Sequence, residues 1–99
     1  MDKKRKYELA GFASYKKKVS EFIDKCFKSI RLGERLEPKQ KEKLPEWIEI
    51  TNNFKGTDFI VNKQIEFILS ALEFLESEDY CDWEDHWLEW ENFKHGRYV

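Results

Sequence analysis

A chain of 99 residues with 18 Lys and Arg against 20 Asp and Glu has a formal net charge of −2 and room for one domain. Its 4 Trp, 4 Tyr and 8 Phe exclude a disordered tail, and its 4 Gly and 2 Pro exclude a collagen-like or linker chain. No apolar run approaches the roughly 20 residues that span a bilayer.

In chain order, Phe12, Tyr15, Val19, Phe22, Ile23, Cys26, Phe27 and Ile30 recur at steps of three and four. That spacing predicts one helix over 7–32, with Lys16, Lys17, Lys18, Glu21, Asp24, Lys25 and Lys28 on its solvated face and Gly33 as its stop. Residues 33–45 read as a polar connection, expected to be the most mobile part, in which Pro38 can open a turn of helix. Pro45 then suits the first turn of a short helix carrying Trp47, Ile50 or Thr51, and Phe54. The same residues alternate as a strand would, but a lone strand has no partner here.

After Lys55-Gly56, Thr57 or Asp58 can cap a third helix over 58–77. Val61, Ile65, Ile68, Leu72 and Leu75 form its stripe, widened by Ile60, Phe67, Ala71 and Phe74, as befits the most buried helix. Ser77-Glu78-Asp79 breaks the pattern. Tyr80, Trp83, Trp87 and Trp90, with Leu88 beside them, predict a last helix over 80–93 that ends before Gly96. The expected fold is all-α, a small irregular bundle of three to four helices in a single helical domain over 1–99.

The near-neutral charge conceals a split. Residues 1–50 hold 14 basic and 9 acidic side chains, or +5, and residues 51–99 hold 4 and 11, or −7. Ten acids and no Lys or Arg lie between Glu66 and Glu91. A helix rich in acids attracts a basic surface and speeds its capture, and tryptophans beside them can anchor a partner. The candidate partner-binding residues are therefore Glu78, Asp79, Tyr80, Asp82, Trp83, Glu84, Asp85, Trp87 and Glu89. The competing explanations are a solubilising acidic face, a tryptophan stripe buried in the core, and pairing of the two charged halves within one molecule.

In size, charge and aromatic content the chain is similar to small helical inhibitors such as bacteriocin immunity proteins and phage-encoded anti-defence proteins. The resemblance rests on no motif, so it transfers no residue role; it implies a non-enzymatic inhibitor or regulator whose carboxylates stand where a nuclease expects phosphates. One alternative is a small nucleic-acid-binding module that uses Lys3, Lys4, Arg5, Lys6, Lys16, Lys17 and Lys18, with Tyr7 and Tyr15 for stacking. The sequence pI of about 5.7 argues against it. A second alternative is a self-associating structural bundle, a homodimer with the basic first helix of one copy on the acidic last helix of another.

Chemistry is sparsely supplied. Asp82, Asp85, His86 and Glu89 share a helical face, but a closed metal site recruits ligands from several elements, so a solvated face is expected and no metal or cofactor. No serine stands in a nucleophile-elbow pattern, and no phosphate-binding glycine loop or CxxC occurs. Cys26 falls on the apolar face of the first helix, and Cys81 lies five residues from His86, the one conceivable dyad. No enzyme is expected. The basic start is followed by a stretch too short and polar for a signal peptide, so free thiols and a cytoplasmic location are expected, with no membrane association.

Overall fold

The computed structural model describes the backbone of residues 3–97 and the side chains of residues 5–97. Among them are five α-helices and no strand: α1 (Lys3–Ala10), α2 (Phe12–Arg31), α3 (Pro38–Asn53), α4 (Phe59–Ser77) and α5 (Trp83–Lys94). The protein is all-α, and all five helices contribute to one apolar core. No helix among the described residues is long and apolar enough to cross a membrane.

The expected first helix is two. Gly11 sits at φ +92°, a left-handed setting open to glycine, and splits it into α1 and α2. The break is bridged by backbone bonds, Gly11 N–H to the Tyr7 carbonyl and Tyr15 N–H to the Gly11 carbonyl. Tyr15, Val19, Ile23, Cys26, Phe27 and Ile30 then bury one face of α2, as their spacing requires. At its end Gly33, at φ +75°, donates to the Ile30 carbonyl and Glu34 to that of Ser29. These two bonds satisfy carbonyls that a helix end otherwise leaves orphaned.

The third element corrects the polar connection. Helix α3 starts at Pro38, so only residues 33–37 link it to α2. Glu37 and Gln40 form a reciprocal capping box, with the Glu37 N–H donating to the Gln40 side-chain oxygen at 2.8 Å, and Pro38 fits the first turn. Pro45 lies inside the helix rather than at its start. Burial outweighs the backbone bond Pro45 cannot make, because Leu44, Trp47, Ile50 and Thr51 all face the core and Leu36 anchors the linker. Thr51 donates its hydroxyl to the Trp47 carbonyl at 2.7 Å and so accepts from the Tyr15 hydroxyl, which locks α3 to α2.

Helix α4 is the central one. Asp58 caps it by accepting from the Ile60 and Val61 N–H groups. Ile65, Ile68, Leu69, Ala71, Leu72, Phe74 and Leu75 are buried, but Ile60, expected in that stripe, is 66 % exposed, and Phe59 beside it in the first turn is exposed as well. Helix α5 starts at Trp83, later than the expected 80, since Tyr80 to Asp82 form the turn. Phe67 stacks on Phe93 at 5.4 Å and Phe74 on His86 at 4.1 Å, so α5 runs back antiparallel along α4.

Candidate functional site

Helix α5 turns three kinds of surface in three directions. Trp90 and Phe93 are buried, 2 % and 1 % exposed, against α2 and α4. Trp83 and Trp87 are half-buried and packed on the core. Glu84, Asp85, Leu88 and Glu89 face outward, with Leu88 52 % exposed. The tryptophans therefore divide: Trp90 belongs to the core, while Trp83 and Trp87 each keep one face near solvent at the edge of the acidic surface.

One acid of the basic helix holds α5 in place. Asp24 was expected on the solvated face of the first helix, but its Oδ1 accepts from both the Trp90 indole N–H and the Lys94 ammonium, each at 2.8 Å. Burial works against the Lys94 charge, but hydrogen bonds to Asp24 and Glu91 outweigh it and hold the ammonium above its usual value. Farther up α2, the Arg31 guanidinium lies 4.5 Å from the Trp87 ring centre. With Trp90 and Trp87 turned to α2 and His86 to Phe74, helical geometry leaves Glu84, Asp85, Leu88 and Glu89 on the outer side.

The turn before α5 carries the rest of the candidate residues. Glu78 ends α4 in a left-handed conformation at φ +61° and pairs with Lys41 of α3 at 2.8 Å. That hydrogen bond and charge hold its carboxyl below the usual range. Asp79 accepts hydrogen bonds from Cys81, which lower its own pKa and raise that of the thiol. Tyr80 is half-buried, packs on Phe74 and donates to the Leu75 carbonyl at 3.0 Å. Asp82 lies 3.4 Å from His86.

The acidic run and the basic half make little direct contact through charge. Among the described residues, Glu78 with Lys41 is the single pair joining an acid of the 66–91 run to a cation of the first fifty residues. Glu91 pairs instead with Lys94 at 2.9 Å. Glu84, Asp85 and Glu89 have no ion pair among the described residues.

The basic residues of the alternative reading are dispersed. The Lys3 and Lys4 side chains lie outside the described residues. Lys6 lies 5.7 Å from the Tyr7 ring, and Lys16 turns inward to the Gln64 side-chain oxygen at 2.8 Å and over Phe93. Lys17 and Lys18 are exposed, with Glu21 3.9 Å from Lys18. Tyr7 and Tyr15, expected as stacking platforms, are core residues, 5 % and 0 % exposed.

No group of three or more His, Cys, Asp or Glu side chains among the described residues could hold a metal ion. Cys81 is exposed with its nearest carboxylate raising its pKa, and His86 is stacked on Phe74, so the two form no activated pair. Cys26 is buried, and burial pushes its thiol up to about 12. Position in sequence could not reveal the role of Asp24, since only the packing of α5 on α2 brings an indole and an ammonium to it. Comparison of the chain with protein-family models, with curated proteins and with solved structures finds no match in any of the three.

Proposed function

We propose that this chain is a non-enzymatic binding protein, an inhibitor or regulator that presents the acidic outer side of α5 to a basic protein partner. The observation that carries this reading is the set Glu84, Asp85 and Glu89 around the exposed Leu88, without ion-pair partners among the described residues. Carboxylates left solvated on a rigid helix attract a basic surface over a Debye length of about 10 Å at 0.1 M salt. Leu88, and the half-buried Trp83 and Trp87, supply apolar contact once the surfaces meet. The sharpest case is a nucleic-acid enzyme of the immunity-protein, antitoxin or anti-defence setting, whose phosphate-binding groove would receive these carboxylates.

The test compares two charge reversals of equal size. Asp82→Lys, Asp85→Lys and Glu89→Lys together strip the α5 surface; Glu8→Lys, Glu34→Lys and Glu42→Lys make the same change in net charge elsewhere on exposed positions. Association with a synthetic Lys- and Arg-rich amphipathic helix is followed by stopped-flow tryptophan fluorescence. The α5 triple is expected to slow association more than about 10-fold at low salt, within the range over which steering acts, and the control triple far less. Equal slowing by both would reduce the effect to net charge and refute a localised site.

A further inference from the structure

The residues read as a solvated connection form a second charged surface. Because α3 begins at Pro38, Lys39 and Lys43 stand one helical turn apart on one face, across a groove of about 310 Å³ from Lys18 and Lys25 of α2. Phe22 and Trp47, with ring centres 6.2 Å apart, lie in its apolar lining. The acids at its rim are engaged: Glu21 lies 3.9 Å from Lys18, and Glu37 shares the capping box with Gln40. Lys25, Lys39 and Lys43 have no ion pair among the described residues.

We infer that this groove receives the outer side of α5 from a second copy of the chain. The complement is on the same molecule. Asp85 and Glu89 stand one turn apart, as Lys39 and Lys43 do, so both rows advance about 6 Å along their helices and match in register. Leu88, between them and exposed, meets the apolar lining, and Glu84 reaches the lysines on the α2 side. A nucleic acid is the poorer occupant, because Trp47 is buried and the half-buried Phe22 alone offers part of a ring for stacking, whereas single-strand binders stack successive bases on several aromatic side chains. A copy held this way covers the α5 surface, so self-association competes with capture of the basic partner. The inference shares α5 with the proposed function but needs no foreign partner.

The full chain is examined by sedimentation velocity across a concentration series at about 50 mM and about 500 mM salt, where the Debye length falls more than threefold. The expected result is concentration-dependent association at low salt that is lost at high salt. Lys39→Glu with Lys43→Glu, and separately Asp85→Lys with Glu89→Lys, should each weaken it more than 10-fold; all four side chains are exposed, and circular dichroism checks that the fold persists. Mixing the two variants restores association, because one keeps its acidic helix and the other its basic groove. Monomer at every concentration at low salt overturns the inference while leaving basic-peptide binding intact. Association that survives both variants, or that mixing fails to restore, overturns it as well. A labelled single-stranded oligonucleotide that binds a monomeric chain, and fails to bind Lys39→Glu with Lys43→Glu, would assign the groove to phosphates instead.

Discussion

Replacing Asp24 by Ala removes the acceptor that ties α5 to α2. The Trp90 indole N–H, in a side chain 2 % exposed, loses its bond, and Lys94 keeps only Glu91. A hydrogen bond to a charged group contributes about 1.5–3 kcal/mol, and the Asp24 side chain is 43 % exposed, so solvent screening places the loss near 2 kcal/mol. For a domain of this size each 1 kcal/mol moves Tm by about 4–8 °C, so Asp24→Ala should lower it by about 8–16 °C. Asp24→Asn separates the two bonds, because an amide oxygen still accepts from the indole but no longer attracts Lys94. The expected loss is then about 0.5 kcal/mol, the scale of a partly exposed ion pair. Thermal and urea unfolding followed by circular dichroism give both values. If the Asn variant loses as much as the Ala variant, the ion pair and not the indole bond secures α5; if neither shifts, Asp24 does not secure it at all.

Four further outcomes follow from the same geometry. Gly11→Ala forces a Cβ into φ +92° with open space around it, so strain alone acts and stability should fall by about 1 kcal/mol in urea titration. Pro45→Ala restores an amide donor inside α3 and relieves a helix-interior proline worth up to about 3 kcal/mol, so Tm should rise. At pH 8 a thiol reagent should label the exposed Cys81 in the folded chain, more slowly than a free cysteine because Asp79 raises its pKa, and Cys26 only on unfolding. The sign for Cys26 is that of an acid whose folded pKa is raised, from 9.0 to about 12. Its contribution is full below pH 9.0 and is lost as pH rises toward 12, so unfolding free energy measured against pH should decline over that window; Cys26→Ala should remove the part that begins near pH 9, while the tyrosines Tyr7, Tyr15 and Tyr80, also raised by burial, keep the part above pH 10.

The helical periods were legible because burial follows sequence spacing closely: the α2 face from Tyr15 to Ile30, the core of α4, and Trp90 on α5 all sit where steps of three and four place them. What misled was punctuation. Gly11 falls inside the expected helix over 7–32, yet its positive φ splits that helix in two. Pro45 reads as a start, yet the capping box at Glu37 and Gln40 supplies the earlier one, and Leu44 holds the helix together across the proline. Of the candidate site, the acids of α5 were visible as a run without cations. Asp24 and the pairing of Lys39 and Lys43 with Lys25 were not, because each arises only when two helices distant in sequence are packed.

On the proposed function, a basic partner docks on the outer side of α5. Titration of the isotopically labelled chain with the Lys- and Arg-rich helix, read as backbone amide shifts, tests it most directly. The largest shifts are expected to cluster at Glu84, Asp85, Leu88 and Glu89, with smaller ones at Asp82, Trp83 and Trp87. Shifts spread evenly over the exposed acids Glu66, Glu73 and Glu76 as well, or centred on α2 and α3, would contradict it.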